Sequence, residues 1–207
     1  RTDIFKDNPE ARYATGLIAH DEQPREGLEE VSKGYFKLRE KVYIDQTRML
    51  NEDARLLDGG EMDEDDGRSV HFCVIENYGD MQRVVASMRV IHGGDFGRLP
   101  IEEFFPQIAQ STNGTSNSIE ISRYICRHED ERVQNKLKWL LFPAVLAYIM
   151  KNNLGPTYAV VEEKVESALA QAGVPLDRIA DPVYVEEYND FNLGIVIDTH
   201  VLAANIE

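Results

Sequence analysis

The residue best suited to acid–base chemistry in this sequence is Glu120. It lies in the apolar, strand-like run 119–126, where a carboxylate can take up a proton because burial favours its neutral form. The alternative is structural, with Glu120 pairing with Arg89 or Arg123 in an ion network. The residue types at this strand are compatible with either role.

Further acids and arginines occur on both sides of Glu120 in the sequence. Asp63 and Asp66 belong to a strongly acidic segment, which indicates either a ligand-binding loop or a solvated acidic loop. Arg39, Arg89 and Arg123 stand on three separate predicted elements. Guanidinium groups bind carboxylates through paired donors, so each arginine either binds an acidic ligand or pairs with a nearby acid.

A basic patch follows the Glu120 strand in a chain that is acidic as a whole. Its members are Arg127, Arg132, Lys136 and Lys138. Such a patch fits a phosphate or an acidic carrier protein, and it equally fits the solvated face of a helix. The histidines His71, His92 and His128 are scattered without the spacing of metal ligands, so no metal is expected.

Composition narrows the class of protein. The chain has 207 residues and a net charge of −15, which disfavours general binding to nucleic acid phosphates. No apolar run approaches the ~20 residues that span a bilayer, and a cytoplasmic protein is expected. Cys73 and Cys126 both lie in apolar runs, which predicts buried free thiols.

Hydrophobic periodicity predicts the elements that position these residues. Residues 1–27 are polar and are predicted to form an arm, followed by one domain over 28–207. A long polar loop is expected over 45–69 and a short helix over 100–105. Helices are predicted at 27–44, 130–152 and 163–172, and strands at 70–76, 83–91, 119–126, 157–161, 183–188 and 193–201. This order predicts an α/β fold with a mostly antiparallel sheet and one strand–helix–strand crossover.

Four short motifs occur in the order that is found in the acyl-homoserine lactone synthases. They are Leu38-Arg39-Glu40-Lys41-Val42-Tyr43, Asp63-Glu64-Asp65-Asp66, Ser87-Met88-Arg89 and Glu120-Ile121-Ser122-Arg123. The sequence thus resembles these synthases and the related N-acyl amino acid synthases. The resemblance implies the GNAT-like acyltransferase fold, in which a twisted central sheet carries helices on both faces and the thioester donor lies where two central strands splay apart.

The resemblance also implies roles for individual residues. Glu120 is expected to be the general base of an N-acyltransferase, with Ser122 and Arg123 in the same catalytic motif. Acceptor binding is expected from Arg39, Tyr43, Asp63, Asp66 and Arg89. Replacement of Asp66 with alanine is expected to abolish turnover with little change in melting temperature.

Two departures from the family pattern bear on the substrates. The lactone synthases place a tryptophan in their S-adenosylmethionine site, and the corresponding residue here is Met49. An amino acid or similar small amine is therefore the preferred acceptor, and S-adenosylmethionine is the alternative; a catalytically silent acyl-binding domain is a third possibility. The segment 127–134 lacks the glycines of a coenzyme A pyrophosphate loop, which favours an acyl carrier protein over acyl-CoA as the donor. A medium or long acyl chain is expected, with no permanently bound cofactor.

Overall fold

The computed structural model describes residues 12–18, 27–78, 81–108 and 117–204. The strands are β1 (Tyr13–Ile18), β2 (Ser69–Tyr78), β3 (Met81–His92), β4 (Ile119–Cys126), β5 (Thr157–Glu162), β6 (Leu176–Arg178), β7 (Val183–Val185) and β8 (Asp190–Ile197). The helices are α1 (Glu29–Glu40), α2 (Ile101–Phe104), α3 (Glu131–Lys151), α4 (Glu163–Gln171) and α5 (Thr199–Ala204). A π-helical turn, Lys41–Gln46, continues α1.

The strands form one sheet in the order β1-β2-β3-β4-β5-β8-β6, with β7 also paired to β8. Pairing is antiparallel for β1–β2 and for the three partners of β8. The strands β4 and β5 are parallel, with Ile119 opposite Thr157 and Glu120 opposite Tyr158. Their registered pairing ends there, although both strands continue. This topology agrees with the α/β fold predicted from the order of elements.

The described chain divides into two units by its internal contacts. The first consists of Arg1–Arg89 and Arg123–Val145, and the second of Val90–Ser122 and Leu146–Glu207. The prediction of a single acyltransferase domain over 28–207 stays a prediction.

In the first unit, α1 buries its apolar stripe against the strands. The buried cluster comprises Ile18, Val31, Tyr35, Cys73, Ile75 and Val84. Val31 and Tyr35 are four residues apart and therefore lie on the same face of α1. A side chain at Gly34 would place its Cβ 3.3 Å from Val84, so the small residue allows the helix to approach β3 closely. This packing fixes the position of α1 on the strands, and with it the position of Arg39 in its last turn.

In the second unit, the core forms around α2. Its buried cluster comprises Ile91, Leu99, Ile101, Phe105, Ile108 and Tyr158. Gly194 on β8 makes room for this core, because a Cβ there would lie 3.0 Å from the Phe105 ring.

The predicted buried thiols are confirmed in the first unit, where Cys73 and Cys126 are both buried and free.

The predicted secondary structure is wrong in several places. β6 was not predicted, and the strand predicted over 183–188 ends at Val185, because Glu186–Tyr188 form a 3-10 turn that allows β7 to pair antiparallel with β8.

Tyr13–Ile18 lies in the predicted arm but forms β1, because all six of its residues pair with β2 and Gly16 allows a close approach to Cys73. The last predicted strand, 193–201, ends at Ile197, because the Asp198 carboxylate accepts the His200 and Val201 amides at 3.1 and 2.9 Å and starts α5. The rest of the predicted arm, 1–11 and 19–26, lies outside the described residues.

No helix among the described residues is long and apolar enough to cross a membrane.

Candidate active site

The acidic loop is held together by hydrogen bonds between its own residues, in addition to its contacts with the arginines. Residues Glu64–Arg68 form a 3-10 turn that Asp63 caps. The Asp63 carboxylate accepts the Asp65 amide at 3.0 Å, and the Asp66 carboxylate accepts the Asp63 amide at 2.8 Å. This reciprocal capping fixes both carboxylates within one short turn.

Arg39 extends from the last turn of α1 to this loop. Its guanidinium donates to both oxygens of Asp66, at 2.6 and 3.0 Å, in a two-pronged ion pair. Its Nε donates to Glu61 at 2.5 Å. The rings of Tyr35 and Phe36 lie 5.6 and 5.3 Å from its Cζ. Arg39 is therefore enclosed by carboxylates on one side and aromatic faces on the other.

Arg89 and Arg123 complete the cluster from two strands. Arg89 on β3 donates to Asp63 at 2.5 Å and to Asp66 at 3.0 Å. Arg123 on β4 donates to Glu61 at 3.1 Å and to Asp63 at 2.8 Å. Its backbone φ of 50° is left-handed, which is uncommon for a residue other than glycine and interrupts the regular alternation of the strand. The three arginines and three carboxylates form one arginine–carboxylate network: Arg39, Glu61, Asp63, Asp66, Arg89 and Arg123.

Burial divides the network into a base and a rim. The side chains of Arg39 and Glu61 are fully buried, and those of Asp66 and Arg89 are 1% and 2% exposed. The rim consists of Asp63, 28% exposed, and Arg123, 11% exposed. Burial alone would raise the pKa of Asp66, but the charges of Arg39 and Arg89 and the Arg39 hydrogen bonds hold it well below its usual range. A ligand can thus meet one carboxylate and one guanidinium side by side, on a base whose charges are already paired.

Tyr43 and His71 flank the network. The Tyr43 ring lies 5.5 Å from the Cζ atom of Arg123, and its hydroxyl donates to the Tyr124 carbonyl at 3.2 Å. His71 is buried, and burial lowers its pKa to about 4. The imidazole is therefore neutral at physiological pH.

His71 makes stability depend on pH. An unfolded histidine has a pKa near ~6.5, so between about pH 6.5 and pH 4 the unfolded chain binds a proton that the folded chain does not. Stability should consequently fall as pH drops through this window, by about 3 kcal/mol in all. In urea unfolding at pH 7, 6, 5 and 4.5, His71→Gln is expected to flatten this part of the curve. Exposed His200→Gln is the matched control, and parallel curves for wild type and His71→Gln would contradict the assignment.

Glu120 and Ser122 lie on the part of β4 that belongs to the second unit. Glu120 is 3% exposed, and its Oε2 accepts the Ile101 amide at 2.8 Å. This contact holds the carboxylate at the start of α2. Ser122 is half-buried. The expectation that Glu120 lies buried in a strand is confirmed. The role of Glu120 as the general base stays a prediction.

The basic patch occupies the β4–α3 segment of the first unit. Arg127, Arg132 and Lys136 are exposed, and Lys138 is half-buried. Arg127 donates to the Gln46 side chain at 2.8 Å. The three exposed side chains face solvent, where a partner surface can reach them.

Glu61 is the site residue that sequence reasoning missed. It is fully buried and bridges Arg39 and Arg123. The available signal was its place two residues before Asp63 in the same acidic segment, which composition alone does not separate from solvated acids. Among the described residues, no group of three or more histidines, cysteines or acids is placed to hold a metal ion.

The rim suits the head group of an amino acid. An ammonium group complements the Asp63 carboxylate, and a carboxylate complements the Arg123 guanidinium. The buried base keeps both rim groups in place, since each is bonded to a neighbour of opposite charge. This geometry can hold an amine acceptor with a carboxylate attached.

The chain is similar to known proteins in sequence and in fold. The family described as "Autoinducer synthase" matches residues 25–200. An acyl-homoserine-lactone synthase from Rhizobium radiobacter is 26% identical over 160 residues, which is 74% of this chain and 72% of the relative.

Two solved structures share the fold. The CoA-dependent acyl-homoserine lactone synthase BjaI, solved with SAM and isopentyl-CoA, is 24% identical with a TM-score of 0.65 over 92% of this chain and 87% of that one. FeeM, an N-acyl amino acid synthase from uncultured soil microbes, is 14% identical with a TM-score of 0.64 over 95% of this chain and 98% of that one. The predicted GNAT-like fold class is confirmed by these likenesses.

The match over 25–200 takes in all four motifs and most of both units. It includes every residue of the arginine–carboxylate network as well as Glu120. The predicted enzyme class, an acyltransferase, is thereby confirmed, and so is the resemblance drawn from the motifs. This chain belongs to the autoinducer synthase family.

Proposed function

We propose that this chain is an acyl-homoserine-lactone synthase that transfers an acyl group from a thioester to the α-amine of S-adenosylmethionine. This choice reverses the order of acceptors inferred from the sequence, where Met49 favoured an amino acid. The family match and the Rhizobium radiobacter relative support the lactone synthase. The amino acid alternative rests on Met49 and on a likeness in fold to FeeM.

The observation that carries the proposal is the rim of Asp63 and Arg123, whose side chains lie 2.8 Å apart on a buried, charge-paired base. S-adenosylmethionine carries the ammonium and carboxylate of an α-amino acid. In our proposal Asp63 binds the ammonium and Arg123 the carboxylate. Arg39, Arg89 and Asp66 then act by holding the rim, because they are buried beneath it.

Acyl transfer needs a general base that removes a proton from the acceptor, and we assign this role to Glu120. Its carboxylate takes a proton from the acceptor ammonium, directly or through water, and exposes the nitrogen lone pair. The nitrogen attacks the thioester carbonyl, a tetrahedral intermediate forms, and the thiol leaves. The carboxylate of the acylated S-adenosylmethionine then attacks the carbon next to the sulfonium, which closes the lactone and releases methylthioadenosine. BjaI has also been solved with MTA.

We further propose that the donor is an acyl carrier protein. The start of α3 is capped by the chain itself, since the Asp130 carboxylate accepts the Arg132 amide at 2.8 Å. Glu129 and Glu131 add negative charge there. A helix end that is already capped and flanked by acids does not favour a pyrophosphate, whereas the exposed Arg127, Arg132 and Lys136 suit an acidic protein surface.

The test is a product assay with defined substrates. The purified chain receives an acyl group on carrier protein or on coenzyme A, together with S-adenosylmethionine or a mixture of amino acids, and products are identified by mass spectrometry. We expect an acyl-homoserine lactone and an equal amount of methylthioadenosine, with carrier protein the better donor. An N-acyl amino acid formed without methylthioadenosine would select the other acceptor and overturn the proposal.

A further inference from the structure

A buried polar pair lies beneath the acceptor rim, within the apolar core of the first unit. The Tyr35 hydroxyl is 3.1 Å from His71 Nδ1, and His71 Nε2 is 3.3 Å from the Asp66 carbonyl oxygen. Tyr35 is fully buried and His71 is 3% exposed. Tyr35 comes from α1 and His71 from β2, so the pair ties the acidic loop to both elements.

The positions of the hydrogen atoms in this series of hydrogen bonds follow from the chemistry of the three groups. A carbonyl oxygen only accepts, so His71 Nε2 must carry the proton toward Asp66. In a neutral imidazole, Nδ1 then has a lone pair, and it accepts the Tyr35 hydroxyl proton. Burial raises the pKa of Tyr35, so its hydroxyl keeps that proton. Tyr35 therefore donates a hydrogen bond to His71, and His71 donates one to Asp66, so the donor and the acceptor of both hydrogen bonds are fixed.

Asp66 is held from two sides as a result. Its carboxylate bonds to Arg39 and Arg89 and accepts the Asp63 amide. Its carbonyl accepts from His71. The Asp63 amide is part of the rim residue itself, so the position of Asp66 sets where the Asp63 carboxylate stands.

We propose that Tyr35 and His71 are positioning residues for the acceptor, acting through Asp66 on the rim of Asp63 and Arg123. The inference rests on the proposed function, in which that rim holds the head group of S-adenosylmethionine. An apolar pair would fill this core without the cost of burying two polar side chains, and an apolar pair would leave the Asp66 carbonyl without this donor. The polar pair thus orients the Asp66 carbonyl through a hydrogen bond, which apolar packing alone would not do.

Two amide substitutions separate this role from simple packing. The glutamine side chain of His71→Gln is long enough to bring an N–H to the place of Nε2, whereas the asparagine of His71→Asn reaches only the place of Nδ1. We expect His71→Asn to weaken binding of S-adenosylmethionine about tenfold, the loss of a buried hydrogen bond, and His71→Gln to restore most of it. Tyr35→Phe, which removes one oxygen and keeps the ring near Arg39, should weaken binding in the same direction.

The measurement is calorimetric titration of each variant with S-adenosylmethionine, with the KM for the acyl donor and the melting temperature as readouts. The donor KM should stay unchanged in every variant. Equal affinity in His71→Asn, His71→Gln and wild type would overturn the positioning role, whatever happens to melting temperature. If His71→Asn fails to fold, Tyr35→Phe decides, and wild-type affinity in that variant would overturn the role. Failure of the wild-type chain to bind S-adenosylmethionine would instead overturn the proposed function.

Discussion

Replacing Glu120 with glutamine is expected to lower kcat for acyl transfer about 100- to 10,000-fold, the usual contribution of a general base. A glutamine amide cannot take a proton from the acceptor ammonium. Its carbonyl oxygen can still accept the Ile101 amide, now bonded to Glu120 at 2.8 Å, so the start of α2 should stay in place. Steady-state rates and the melting temperature of the variant check both halves of this expectation.

Glu102→Gln is the matched control for that experiment. Glu102 is also buried, lies in the same unit, and accepts a backbone amide, that of Leu99 at 3.1 Å. The control variant should keep its activity, because Glu102 has no part in the proposed chemistry. A folded Glu120→Gln protein with full turnover would remove the assignment of the base.

Replacing Asp66 with alanine is expected to lower the free energy of unfolding by about 3–5 kcal/mol, the cost of leaving buried charges without their partner. Asp66 neutralises Arg39 and Arg89, both almost completely buried. This expectation departs from the one drawn from the sequence, in which Asp66→Ala lost turnover and kept its melting temperature. Urea unfolding followed by circular dichroism measures the difference.

Asp63→Asn provides the contrast within the same loop. Asp63 is 28% exposed, and asparagine keeps an oxygen that can accept from Arg89 or Arg123. Its stability should change by about 1 kcal/mol, while binding of the acceptor ammonium should be lost with the charge. Equal loss of stability in the two variants would contradict the division of the network into base and rim.

Much of the fold follows from local pattern. The strand predicted at 119–126 coincides with β4, and the helix predicted at 130–152 forms α3 over Glu131–Lys151. Apolar residues at strand or helix spacing report burial on one face, and that information is local. β1 escaped prediction because its burial depends on pairing with β2, which follows it by some fifty residues in the chain.

The candidate site was predicted in its members but not in its arrangement. The motifs named Arg39, Asp63, Asp66, Arg89 and Arg123, all of which meet in one network. The sequence left open whether each arginine binds a ligand or an acid of the chain itself. The folded chain shows that each arginine pairs with acids of the chain itself, as Arg123 does with Glu61, 62 residues away, and a ligand role for the partly exposed Arg123 stays a proposal.

The residue types and their order were enough to identify an acyltransferase of this family, because four short motifs stand in the order found in the family. Which carboxylate is buried and which faces a ligand depended on the folded chain. Asp63 and Asp66 are three residues apart in one acidic segment, yet Asp66 lies under Arg39 and Arg89 and Asp63 stands at the rim. That difference arises from α1, β3 and β4 packing around a single turn, and burial is a property of all those contacts together.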